Sequence, residues 1–288
     1  MTTAHRHPIA RASAALAALV LATSVLAACG DDDDDTAEGS DDPTAEAVSA
    51  PDEGAATDEE PASDEGASDD SFCEGFLGLE AAFAEAPEDE AEIPAFVAER
   101  IDPNLALIEG NEPADVAADV QTMTAAVTEV TSTGDFSAFE TPEFLAASEA
   151  VYGSLDDSCD VEVVEFSAID YGYEGLPSTL PAGATSFVMS NDSEAGEAHE
   201  FSLVKLSDDT ELSIEELLEM PEAEAEQHIE AFGGGTFAPA GAASGTVTEL
   251  SPGRWAYVCF IPVGTVGDTE GTGPPHFVEG MAGELTVD

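Results

Sequence analysis

The stretch YVCFIPVGTVGDTEGTGPPHFVEGM spans residues 257–281 and decides how the C-terminal part of the chain is interpreted. An apolar run around Cys259 is typical of a buried strand. Sixteen residues rich in Gly and Pro follow, and His276 and Met281 then precede a second strand-like segment, AGELTV. The pattern predicts two strands joined by a long surface loop. The loop is either an ordinary connection or one that brings a thiol, an imidazole and a thioether together as metal ligands.

The first 28 residues are predicted to be an export signal. They contain Arg6 and Arg11, then the short apolar run AALAALVLATSVL, then LAAC at residues 26–29. The LAAC ending resembles the lipobox of bacterial lipoproteins, which implies a diacylated Cys29 as the first mature residue. The alternative is an ordinary signal peptide with an incidental Cys29. The apolar run is too short for a good spanning helix, so we expect the protein to be exported and anchored by lipid to the outer face of the cell membrane.

The charge of the chain excludes several classes of partner. The protein has 63 acidic and five basic residues, and beyond the predicted signal the basic residues are Arg100, Lys205 and Arg254. Such a surface repels nucleic acid and anionic lipid headgroups, and it suggests a protein suited to concentrated salt. Residues 29–71, which begin at the lipidated Cys29, are predicted to form a disordered acidic tether, because they contain too little apolar surface to fold.

Residues 72–160 are predicted to form a small helical bundle. Apolar side chains recur at spacings of three and four, as in Phe72, Phe76, Leu79 and Phe83. Cys73 and Cys159 flank this segment, and disulfides form in exported proteins. We therefore predict a Cys73–Cys159 bridge, which leaves Cys259 without a disulfide partner. An unpaired thiol in an exported protein suggests metal ligation.

Residues 161–288 are predicted to form a β-sandwich. Short segments such as HEFSLVKL, SGTVTEL and GRWAYVCFIPV alternate or run in β-branched and aromatic residues, and Gly or Pro bounds them. One segment, residues 213–232, has a helical pattern and is predicted as an insertion. The expected architecture is therefore helices followed by strands, with the sandwich as the last domain.

Three segments of this last domain resemble the plastocyanin/azurin group of cupredoxins: TLPAGATSFVMSNDSEAGEAHEF, GRWAYVCFIP and PHFVEGMAGELTV. The resemblance covers roughly residues 161–288 and implies a Greek-key sandwich with one copper ion. Carried over to this sequence, it implies equatorial ligands from His199 and His276, a thiolate from Cys259 and an axial thioether from Met281. Such a set of two imidazoles, a thiolate and a weak thioether is the type 1 site of electron-transfer proteins.

Two features depart from the family pattern. Sixteen residues separate Cys259 from His276, where single-domain cupredoxins have only a few. The residue after the first histidine is Glu200 instead of the frequent Asn. The long loop leaves open whether His276 returns to Cys259, and Glu200 either acts on the imidazole or points outward.

The expected function is one-electron transfer by an exported copper protein that is not an enzyme, with a redox or envelope protein as its partner. The sequence contains no HExxH motif and no phosphate-binding loop, which are marks of common enzyme classes. Three alternatives remain open. Zinc also accepts His, Cys and His; the same ligands would serve copper storage or delivery; and a metal-free sandwich would act as a binding or scaffold module of the cell envelope.

Overall fold

The computed structural model describes residues 65–87, 89, 91–267 and 269–288. The predicted signal peptide, the predicted lipidation site Cys29 and most of the predicted tether lie outside these ranges. Within them, no helix has both the length and the apolar character needed to cross a membrane.

The N-terminal part of the described chain is helical, as predicted. The elements are α1 (Glu65–Ala84), α2 (Ile93–Phe96), a π-helical turn (Val97–Ile101), α3 (Asp102–Ile108), α4 (Ala117–Thr133), a 3-10 turn (Phe136–Glu140), α5 (Pro142–Gly153) and α6 (Leu155–Cys159). Helix α1 begins inside the segment predicted as tether, and it buries Phe72, Phe76 and Leu79 along one face. Thr141 caps α5 by accepting a hydrogen bond from the Phe144 N–H.

The predicted disulfide is present between Cys73 in α1 and Cys159 at the end of α6. It joins the two ends of the helical unit, 86 residues apart in sequence. Cys259 is a free and buried thiol. The cysteine pairing expected from the sequence is therefore confirmed for these three residues.

The C-terminal part forms two packed β-sheets. The strands are β1 (Glu162–Ile169), β2 (Gly172–Glu174), β3 (Thr179–Leu180), β4 (Gly183–Asn191), β5 (His199–Leu206), β6 (Ile229–Ala238), β7 (Ala243–Leu250), β8 (Gly253–Val258) and β9 (Ala282–Val287). Sheet A has the order β2-β1-β4-β7 and sheet B the order β3-β9-β8-β5-β6. Strands β1 and β4 are parallel, as are β3 and β9, and the other pairs are antiparallel.

The core between the sheets is largely aromatic. Phe166 and Phe187 of sheet A pack against Phe201 of sheet B, with ring centroids 4.7 and 5.3 Å from it. Trp255 is buried in the same cluster and donates its indole N–H to the Ser251 carbonyl. This core fixes the two sheets face to face, so the ends of their strands have defined positions.

The insertion predicted as helical over residues 213–232 is helical only in its first part. It contains α7 (Ile214–Leu218), α8 (Glu222–Ala225) and a 3-10 turn (Glu226–His228). The chain then enters β6 at Ile229, so the prediction is wrong for residues 229–232. The strand was not predicted because three glycines at 233–235 are atypical of strands. The structure requires a small residue here, since a Cβ at Gly235 would lie 2.7 Å from the Phe201 carbonyl oxygen.

The helical unit packs on sheet A. Val161 and Val188 belong to the same buried cluster as Phe72 and Phe76. At the outer edge of β7, the N–H of Gly245 donates to the Ser148 hydroxyl at 3.2 Å, and that of Val247 donates to the Glu80 carboxylate at 3.2 Å. Side chains of α5 and α1 therefore satisfy N–H groups of an edge strand that would otherwise face solvent.

Candidate metal centre

The four residues predicted as ligands lie at one end of sheet B. His199 is the first residue of β5, and Cys259 directly follows the last residue of β8. His276 begins a 3-10 turn (His276–Glu279), and Met281 stands between that turn and β9. Because β8 is antiparallel to both β5 and β9, the end of β8 meets the starts of its two neighbours. The sheet topology therefore brings these positions together.

The side chains of His199, Cys259 and His276 converge. The two Nδ1 atoms are 3.1 Å apart, and Cys259 Sγ lies 3.4 Å from His276 Nδ1. One ligand atom from each residue lies within 4.8 Å of the other two. Metal–ligand bonds of about 2.0–2.3 Å allow ligand atoms of one ion to be up to roughly 4.6 Å apart, and the separations of 3.1 and 3.4 Å lie within that limit. The three groups therefore fit a single ion.

Met281 is placed beside this cluster by the backbone. Its carbonyl accepts from the Cys259 N–H at 3.0 Å, and its N–H donates to the His276 carbonyl at 3.1 Å. The side chain is fully buried and packs in the same cluster as Cys259. Its thioether is the fourth group of the predicted set, and the backbone of Met281 is hydrogen-bonded to both Cys259 and His276.

The long loop between Cys259 and His276 returns as two chain segments that pair with each other. The N–H of Val263 donates to the Pro274 carbonyl at 2.9 Å, and the N–H of His276 donates to the Ile261 carbonyl at 2.9 Å. The Phe277 N–H closes the series by donating to the Cys259 carbonyl at 3.1 Å. The loop thus behaves as a hairpin whose base holds His276 against Cys259, which answers the question that the sequence left open.

The site excludes water, and this exclusion shifts the pKa values of its groups. His199, Cys259 and His276 are all 0% exposed. Burial, reinforced by His276, lowers the pKa of His199 to about 4, so its imidazole is neutral and able to ligate. Burial also raises the pKa of the Cys259 thiol well above its ordinary value. The thiol therefore keeps its proton until a cation replaces it.

Glu200 does not supply a ligand. Its backbone N–H donates to Cys259 Sγ at 3.4 Å, and its carboxylate accepts a hydrogen bond from the Ser202 hydroxyl. Among the described residues, the Nε2 atom of His199 has no hydrogen-bond partner although it is buried. The groups that face one another are the two Nδ1 atoms, 3.1 Å apart, and Cys259 Sγ, 3.4 Å from His276 Nδ1.

Sequence reasoning missed Glu197, which lies beside the site. Its Oε2 is 2.8 Å from His276 Nε2 and accepts the Gly264 N–H at 2.8 Å, and its Oε1 accepts the Tyr171 hydroxyl at 3.2 Å. Burial would raise the pKa of Glu197, but these hydrogen bonds together lower it below the ordinary value. Nothing in the sequence marks this residue, because it is one of 63 acids.

Comparison with known proteins finds likeness at the level of solved structures. No family model matches the chain, and a search of curated proteins finds no match. Auracyanin from Roseiflexus castenholzii is 17% identical with a TM-score of 0.30, over 44% of this chain and 96% of its own. Auracyanin A, a blue copper protein from Chloroflexus aurantiacus, is 20% identical with a TM-score of 0.27, over 44% and 98%. Rusticyanin from Thiobacillus ferrooxidans is 20% identical with a TM-score of 0.26, over 44% and 78%.

The two packed sheets form the β-sandwich that the sequence predicted, and they gather His199, Cys259, His276 and Met281 at one end. The donor set of two imidazoles, one thiol and a neighbouring thioether matches a type 1 copper site.

Proposed function

We propose that this protein binds one copper ion through His199, Cys259, His276 and Met281 and transfers single electrons. The observation that supports this function is the convergence of two imidazole Nδ1 atoms and a buried thiol at one end of the sandwich. Among the cysteines that the structure describes, Cys73 and Cys159 pair with each other and the thiol of Cys259 is free.

The residues of the site have separate tasks. His199 and His276 would present neutral nitrogens to the ion, Cys259 would give up its proton and supply a thiolate, and Met281 would offer a weakly bound thioether. When bound, copper supplies a one-electron couple between its two common oxidation states. Backbone hydrogen bonds among Cys259, His276 and Met281 hold the ligands in one arrangement, which suits rapid electron transfer because little has to move.

The environment of the site favours electron transfer over storage and release of the ion. The site is closed to solvent, and Phe166, Phe187 and Phe201 form a packed core behind it. A dry apolar surround protects the Cys259 sulfur from oxidation and contributes to the reduction potential of the metal. A storage protein that releases its ion needs a route by which ligands become accessible, and here the three donor side chains are 0% exposed.

The location of the protein is part of the same proposal. Lipid on Cys29 would attach the chain to the outer face of the cell membrane, and the acidic segment that follows would hold the folded part away from the surface. A redox partner in the envelope would then exchange electrons with the sandwich. The support for this part is the LAAC sequence and the composition of residues 29–71.

Copper loading tests the proposed function. The purified protein, given Cu(II), is expected to bind one ion per chain and turn intensely blue through thiolate-to-copper charge transfer. A mild reductant should bleach the colour and an oxidant should restore it over repeated cycles. Cys259→Ser should remove the colour, and Cys73→Ser with Cys159→Ser should keep it. Tight copper binding without reversible cycling would favour storage or delivery, and absence of copper binding would favour the scaffold.

A further inference from the structure

We infer that Glu197 is the residue that positions the ligand His276, an inference that rests on the proposed copper function. The carboxylate fixes which nitrogen of the ring has the proton and ties the ligand loop to the sandwich. Glu197 is 7% exposed and lies two residues before the ligand His199, in the turn that leads into β5. It is thus held beside the site by the same segment that supplies a ligand.

The contact between Glu197 and His276 determines the tautomer of the ring. Oε2 lies 2.8 Å from Nε2 inside the protein, and a carboxylate accepts hydrogen bonds. The Nε2 atom must therefore donate, which leaves the lone pair of a neutral ring on Nδ1. Nδ1 is the atom that lies 3.1 Å from His199 Nδ1 and 3.4 Å from Cys259 Sγ. Glu197 thus turns the ligating nitrogen toward the other donors.

The same carboxylate joins three separate parts of the chain around His276. Oε2 also accepts the N–H of Gly264 in the ligand loop, and Oε1 accepts the hydroxyl of Tyr171 from the β1–β2 turn. The Tyr171 ring lies against the His276 ring, with centroids 5.2 Å apart. Next to Glu197, the Ala198 N–H donates to the Thr265 carbonyl at 3.0 Å. The loop that contains His276 is therefore hydrogen-bonded to two successive residues, Glu197 and Ala198, of the segment that leads into β5.

A glutamine at position 197 would preserve this arrangement. Its amide oxygen would take the place of Oε2 and accept from His276 and Gly264. Its NH2 group would face Tyr171, whose hydroxyl both donates and accepts. Glu197→Gln therefore removes the charge and keeps the hydrogen bonds, whereas Glu197→Ala removes both. Glu194, exposed in the same turn, offers a matched control in Glu194→Ala.

The first experiment uses the metal-free protein. Proton–nitrogen correlation spectra of the His276 ring, in mildly alkaline solution where free imidazole is neutral, are expected to show the proton on Nε2 and slow exchange with water. Glu197→Gln and Glu194→Ala should keep this pattern, and Glu197→Ala should lose it. A proton on Nδ1 in the wild-type protein would overturn the inference. This result does not depend on copper, so it stands or fails separately from the proposed function.

The second experiment measures copper affinity in the same variants. Loss of a hydrogen-bond partner behind a ligating histidine typically lowers metal affinity by about 10–100-fold, and Glu197→Ala should fall in that range. Glu197→Gln and Glu194→Ala should bind copper as the wild type does. Equal weakening by the Gln and Ala variants would show that charge matters and positioning does not. If Glu197→Ala does not fold, the wild-type tautomer and the Gln variant still decide the matter.

Discussion

Cys259 Sγ lies 3.4 Å from His276 Nδ1 although 16 residues separate the two in the chain. The hairpin made by the intervening loop makes this approach possible, and its backbone pairing from Val263 to Pro274 sets its shape. The geometry of the candidate centre therefore depends on the loop as well as on the strands.

Gly271 lies in the loop where the backbone leaves no room for a side chain. A Cβ there would collide with the backbone of Val263, Pro262 and Thr265. We expect Gly271→Ala to destabilise the loop by about 1–3 kcal/mol, as overpacking commonly does, and to lower copper affinity because His276 loses its fixed position. Copper titration followed by visible absorption measures the effect.

Gly267 provides the control for that substitution. It lies in the same loop, and a Cβ at this position would meet no atom within 4 Å. Its φ of 52° is a conformation that Asn adopts readily. Gly267→Asn should therefore leave copper binding unchanged. Equal losses in both variants would mean that the loop is sensitive throughout and that the close packing at Gly271 is not the cause.

The Cys73–Cys159 bridge is expected to stabilise the fold without shaping the metal site. It closes a segment of 86 residues, for which the chain-entropy relation gives about 4.5 kcal/mol. Replacing both cysteines by serine should lower the free energy of unfolding in urea by roughly this amount. The spectrum of the copper-loaded protein should stay the same, and a changed spectrum would contradict the separation of the two units' roles.

Glu80 should make stability depend on pH. Burial outweighs its hydrogen bonds to Tyr152 and Val247 and raises its pKa from 4.5 to about 7. The folded state then binds this proton more tightly than the unfolded chain does. The contribution of Glu80 is therefore fully present below pH 4.5 and is lost as pH rises through about 7, a change of about 3 kcal/mol at most.

The Glu80→Gln variant isolates this contribution. It should be more stable than the wild type at about pH 8, and the difference should shrink toward about pH 4.5. Urea unfolding at several pH values measures it. Glu74→Gln removes the same charge from an exposed position of the same helix and should show no such trend. A constant difference for Glu80→Gln across the range would refute the prediction.

Salt should stabilise the protein. In the part of the chain that the structure describes, each cation already pairs with a glutamate: Arg100 with Glu85, Lys205 with Glu230 and Arg254 with Glu284. The many remaining carboxylates repel one another, and ionic strength of about 1 M shortens the screening length to roughly 3 Å. We expect the melting temperature to rise with NaCl, and a flat or falling temperature would contradict this.

The ligands of the candidate site could be predicted from the sequence, whereas Glu197, the residue that contacts the ligand His276, could not. Thiol, imidazole and thioether are rare side chains with distinct chemistry, so Cys259, His276 and Met281 stand out in one short stretch. Glu197 is chemically identical to dozens of other acids, and its role arises only from a contact with a residue 79 positions away.

The same holds for the fold: features set by neighbouring residues could be predicted, and contacts between residues far apart in the sequence could not. Helical periodicity is local, and it predicted the helices of residues 72–160 correctly. The three glycines of β6 do not have the side chains typical of a strand. They are required because Phe201 and Trp255 pack so closely against this part of β6 that a Cβ would clash with them. The docking of α1 on β7 through Glu80 and Val247 joins residues 167 positions apart, and no sequence period reports such a contact.

The ligation of copper by Cys259 is the central claim, and X-ray absorption at the copper edge of the loaded protein tests it most directly. We predict a first coordination shell of two nitrogen scatterers and one short sulfur scatterer, with the sulfur absent in Cys259→Ser. A shell of nitrogen and oxygen alone in the wild-type protein would contradict the account.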